Sequence, residues 1–129
     1  MSRLRRARSL APPPGADADE RVVEGLRASG AVLGRPRVVQ HYLVSGSSRA
    51  ARTAVLQLRE AGFEASLIES PTTAGWMVVA ERVEELDHES VRLSRQLMEL
   101  VAERAEDTRY DGWHTRLLDD ERDEHDDEG

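Results

Sequence analysis

The chain has 129 residues, 39% of them hydrophobic and 33% charged, enough for one domain with a real core and a well-solvated surface. It contains no cysteine, which excludes disulfides, thiolate catalysis and cysteine-ligated metal sites. All 18 basic residues are arginine, and the net charge of −7 is uneven: eight of the 25 acids but a single arginine fall in Asp119–Gly129, leaving 17 of each sign elsewhere.

No apolar run approaches the roughly 20 residues that a membrane-spanning helix needs. The start is basic, with Arg3, Arg5, Arg6 and Arg8. A secretory signal would continue into an apolar segment, whereas Ala11-Pro12-Pro13-Pro14-Gly15 follows here. The expectation is a disordered basic arm over residues 1–16, and the absence of cysteine suits a reducing cytoplasm. Acids from Asp17 to Glu20 open a first helix over about Asp19 to Ala28, with Val22, Val23 and Leu26 on one face and Gly30 as its stop. Pro36 disfavours helical geometry in Arg35, so the chain breaks there.

Arg37 to Val44 is β-branched and aromatic and reads as a first strand. Ser47 caps a helix whose Ala51, Ala54, Val55, Leu58 and Ala61 share a face, and Gly62 stands where a left-handed residue ends it. Phe63 to Glu69 alternates as a second strand, and a turn over 70–75 leads to a third, Trp76 to Val83, as its hairpin partner. Asp87 caps a long helix to about Glu106, with Leu93, Leu97, Leu100 and Val101 expected inward beside Met98. Arg109 to Arg116 supplies a fourth strand. The order βαββαβ behind an extra helix describes an α+β ferredoxin-like sandwich. Two helices would cover one face of a four-stranded antiparallel sheet of order 4-1-3-2. The domain is expected over residues 17–116. The acid-rich remainder, 117–129, is expected to be a disordered tail that favours basic partner surfaces.

Catalytic chemistry finds little support in the residue pattern. The serines fall in turns and caps, as Ser45, Ser47 and Ser48 do, and the four histidines show no metal-ligand spacing. His41 and His114 could approach each other across neighbouring strands, the one arrangement that would serve an acid–base enzyme. Gly30 and Gly34 precede a strand rather than join a strand to a helix, so no phosphate-binding loop is indicated. The third strand lacks the basic-Gly-aromatic run of an RNA-recognition motif, and the first offers only Tyr42, so direct sequence-specific nucleic-acid binding is not expected. No cofactor, metal or catalytic residue is assigned.

Only five aromatic residues exist, and Tyr110-Asp111-Gly112-Trp113 groups two of them around a glycine that would weaken a strand unless a bulge or a close backbone approach is needed. Aromatic side chains dominate binding hot spots but equally fill cores.

Several segments together resemble the RraB family, the regulators of ribonuclease E activity B. They are Asp17-Ala18-Asp19-Glu20, Arg35-Pro36-Arg37-Val38 leading into His41-Tyr42-Leu43, Ala50-Ala51, Ala61-Gly62-Phe63-Glu64, Gly75-Trp76 with Val78 and Ala80, and Tyr110-Asp111-Gly112-Trp113. The resemblance runs from about Asp17 to Trp113, and the last motif is the most specific. It implies the same βαββαβ fold and a cytoplasmic, non-enzymatic protein that binds an RNase E/G-type endoribonuclease and modulates its cleavage of messenger RNA. The basic arm Arg3 to Arg8 and the polyproline stretch Pro12-Pro13-Pro14 have no counterpart in it. On this reading Tyr110, Asp111 and Trp113 are contact candidates, with Trp76 next. The acids Asp119, Asp120, Glu121, Asp123 and Glu124 would steer the encounter. The alternative is a ferredoxin-like small-molecule-sensing regulatory domain, which rests on fold analogy.

Overall fold

A computed structural model of the chain describes residues 15–69 and 75–126. Strand β1, Pro36–Ser45, organises it. Arg37, Val39, His41, Leu43 and Ser45 are buried, while the residues between them are exposed or half-buried. A period of two puts one face of the strand under cover and leaves the other open. Strand β3, Trp76–Glu85, pairs antiparallel with β1 from Pro36 opposite Glu85 to Ser45 opposite Trp76. Strand β4, Thr108–His114, lies on the other side of β1, and β2, Glu64–Glu69, forms the far edge beside β3. The order β2-β3-β1-β4 is the expected 4-1-3-2 seen from the opposite edge, and the fold is α+β and ferredoxin-like.

Each helix is fixed by its ends as much as by its face. In α2, Ser48–Glu60, the Ser47 side chain accepts the Ala50 N–H at 3.1 Å. At the other end Gly62 adopts φ +98°, so the Phe63 N–H turns back to the Leu58 carbonyl at 3.0 Å. Between them Ala50, Ala51, Ala54, Val55 and Leu58 are buried against the sheet.

Helix α3, His88–Arg104, starts with a reciprocal cap in which Asp87 accepts the Ser90 N–H and Ser90 accepts the Asp87 N–H. Its buried face is Val91, Ser94, Met98, Val101 and Ala102. Leu93 and Leu100, expected inward, are instead 50% and 41% exposed. Small Ser94 and Ala102 let the helix approach the sheet, and Ser94 donates to a buried Glu84 carboxylate at 3.0 Å. A hydrogen bond thus helps set the helix rotation that leucine content alone would place elsewhere.

Helix α1, Ala16–Ala28, begins three residues earlier than expected and buries Val23 but leaves Val22 46% exposed. It extends a main core under α2 and α3 with a second cluster of Val23, Val39, Leu86 and Val91, against which Leu26, Leu33 and Trp113 pack.

The acidic tail differs from its compositional expectation. Asp119–Asp126 forms a further helix, α4. Composition misses it because the segment buries a charge, not apolar surface: Glu121 folds inward onto Arg37 of β1. The expectations for residues 1–14, 70–74 and 127–129 lie outside the described residues.

Candidate partner-binding surface

The bulge on β4 decides where the candidate residues point. Leu43 lies opposite Tyr110 and Tyr42 opposite Gly112, so Asp111 is the extra residue. Gly112 holds φ +112°, a conformation that glycine adopts without strain. Strict alternation would put Tyr110 and Trp113 on opposite faces. The inserted residue brings both to the covered face of the sheet, and Asp111 stays exposed, paired with Arg109 at 2.9 Å. Trp76, opposite buried Ser45, also faces inward and packs on the main core, half-buried.

Tyr110 and Trp113 belong to a polar chain that crosses the sheet. The His41 side chain is 2% exposed. Its Nε2 donates to Glu84 at 2.9 Å, because a carboxylate can only accept, and in the neutral imidazole its Nδ1 accepts the Tyr110 hydroxyl at 2.9 Å. Burial pushes the Tyr110 phenol well above its ordinary value, which keeps that hydroxyl a donor. The Arg95 guanidinium lies 4.7 Å from the centre of the Tyr110 ring and bonds both carboxylate oxygens of Asp19. Asp19 also accepts the Trp113 indole N–H at 2.9 Å. This bonding to Asp19 raises the Arg95 guanidinium further above its already high value. Tyr110 and Trp113 therefore brace β4 against β1, α1 and α3.

His41 and His114 do not meet. His41 faces Trp113 across the ladder, whereas His114 pairs with Gln40 and is exposed on the open side. Among the described residues no group of three His, Asp or Glu side chains is placed to hold a metal ion. No described helix is long and apolar enough to cross a membrane.

The tail acids separate into different roles. Asp119 is fully exposed, and Asp120 reaches Arg35 at 3.0 Å while staying 65% exposed. Glu121 is buried and cannot serve as an exposed steering charge. Its two oxygens accept from Arg37 at 2.7 and 2.8 Å and from the Leu118 and Val32 N–H groups at 2.9 Å each. The Arg37 hydrogen bonds, aided by those two N–H groups, hold the Glu121 carboxyl down at about 2. The side chains of Asp123 and Glu124 lie outside the described residues.

Residue typing missed this Arg37–Glu121 latch and the Glu84–His41 bond, although strand phase carried a signal. Arg37 is in register with Val39 and Leu43, and Glu84 with Val78 and Ala80, so alternation alone put both charges inside.

The family model for RraB, regulator of ribonuclease activity B, matches residues 16–115. The chain belongs to the RraB family. The match spans α1 through β4, including the bulge and the polar chain behind it, and ends before α4. A comparison with curated proteins gives no match. The RraB name describes regulators of a ribonuclease, and the chain is accordingly assigned to ribonuclease regulation.

Proposed function

We propose that this RraB-family chain is a cytoplasmic protein that binds an RNase E/G-type endoribonuclease and inhibits or redirects its cleavage of messenger RNA, with no catalytic step of its own. The family match over residues 16–115 is the observation that carries this reading. The geometry supports action by contact, because buried His41, Glu84 and Asp19 and half-buried Tyr110 are engaged with one another and with Arg95.

Asp111, held out by the bulge, is the proposed point contact. The accessible edges of half-buried Tyr110, Trp113 and Trp76 supply apolar area. Asp119 and Asp120, continued by Asp123 and Glu124, steer a basic partner surface, and such steering weakens with salt. Glu121 anchors the helix that presents Asp119 and Asp120.

The test is retention of the host's endoribonuclease on immobilised full-length chain at low salt. Asp111→Lys should weaken retention, and the Asp119→Lys/Asp120→Lys pair should slow association and flatten its salt dependence. An intact, folded chain that retains no such enzyme at low salt would sink the reading.

A further inference from the structure

A groove of about 890 Å³ runs between α1, α3 and the start of β4. Val23, Val91, Leu100 and Ala102 contribute apolar lining, and Leu100 is 41% exposed there. The rim is charged, and its charges do not balance. Arg92 pairs with Glu89, Arg95 with Asp19 and Glu99, and Arg109 with Asp111. Every arginine of the rim is thus matched by a carboxylate. Glu20 on α1 and Glu103 on α3 also line the groove and make no ion pair among the described residues. The charge left over is negative on both walls.

The same chain carries a complement. Residues 1–14 hold Arg3, Arg5, Arg6 and Arg8, no acid, and the apolar Leu4, Leu10, Pro12, Pro13 and Pro14. They join the domain at Gly15, which sits against the groove: a Cβ there would fall 2.6 Å from the Arg95 guanidinium carbon. Fourteen extended residues reach about 46 Å at ~3.3 Å each. The 17-residue α3 spans only about 25 Å. Reach is therefore ample for the whole length of the groove.

We propose that the basic segment 1–14 docks in this groove of its own domain, its arginines toward Glu20 and Glu103 and its leucines and prolines on the apolar lining. Tyr110 and Arg109 line the groove as well, so a docked segment flanks the Asp111 bulge and competes with anything that approaches it from this side. The assignment stands on the groove's charge and position and does not rest on the ribonuclease reading.

Because the chain lacks cysteine, Ser9→Cys gives a single attachment point for a nitroxide label in the full-length protein. Docking predicts loss of amide signal at Glu20, Gln96 and Glu103, while Arg52 and Gln57 on α2, over the other half of the sheet, stay sharp. Glu20→Lys/Glu103→Lys should restore the lost signals. So should salt near 1 M, where screening shortens to about 3 Å. Evenly spread broadening, broadening centred on the open sheet face around Tyr42, or broadening that persists in the charge-reversed pair overturns the proposal. Mixing labelled chain with a nitrogen-15 chain that bears no nitroxide tests for exchange between molecules. Equal signal loss in that mixture would assign the segment to a second copy and overturn docking within one chain.

Discussion

Glu84 and Glu121 are both buried carboxylates, yet they are held in opposite ways. Glu84 sits within the family-matched span and accepts from His41 and Ser94, with Arg82 at 3.5 Å. Glu121 lies beyond that span and faces the full charge of Arg37 at two short bonds. The first carboxylate ties the sheet to α3, in the middle of the domain. The second fastens α4 to an end of β1 and can be released by movement of that helix alone. Burial of an acid therefore does different work in the two places: at Glu84 it belongs to the fold, and at Glu121 it controls one appended element.

Glu84→Ala has the largest expected effect, because it empties the carboxylate that ties the sheet to α3. It leaves the His41 N–H and the Ser94 hydroxyl buried without an acceptor, at about 1–3 kcal/mol for each donor. The urea midpoint of the whole domain should fall, with every probe reporting the same transition.

Glu121→Gln attacks the other side. Removing one partner of a buried pair costs about 3–5 kcal/mol when the remaining charge cannot escape. Here the loss is capped by the free energy that docks α4, because Arg37 regains water once the helix leaves. Hydrogen exchange should therefore lose protection in α4 and at Val32 well before the sheet changes. The pH dependence has a definite sign. With its carboxyl held at about 2 in the fold against an ordinary 4.5, Glu121 stabilises above about pH 4.5, and that contribution is lost as pH falls toward 2. Urea titrations of wild type and Glu121→Gln should converge across that window, and parallel curves would show that Glu121 is not the acid-sensitive group.

Tyr110→Phe is a smaller change within the Glu84 network. It removes the hydroxyl that the His41 Nδ1 accepts and leaves a buried acceptor open, about 1–3 kcal/mol by chemical denaturation. Smallest of all is Glu24→Gln. The hydrogen bond to His88 at 2.6 Å lowers the Glu24 carboxyl, but both side chains are more than two-fifths exposed. Exposed pairs of this kind contribute little, so no measurable change in the melting midpoint is expected.

Much of the fold was legible because local signals agreed with one another. Ser47, Gly62 and Asp87 marked helix ends, β-branched and aromatic content marked β1, alternation marked β2, and the βαββαβ order gave the sheet topology. What escaped was governed by partners distant in sequence. The rotation of α3 depends on Ser94 meeting Glu84, and α4 depends on Glu121 meeting Arg37, 84 residues away. The glycine in Tyr110-Asp111-Gly112-Trp113 admitted either a bulge or a close backbone approach; the ladder register shows the bulge and sets the direction of its aromatics. Aromatic identity left core and interface equally open, and the structure turns Tyr110 and Trp113 toward His41 and Asp19.

The most direct test of the regulatory reading is a cleavage assay of the host's RNase E/G-type endoribonuclease on a defined messenger RNA, titrated with full-length chain at low salt. Cleavage should fall saturably, or the sites cut should change saturably, and Asp111→Lys should move that change to higher protein concentration. Unaltered rates and an unaltered cleavage pattern, with folded chain in excess over enzyme, would contradict it.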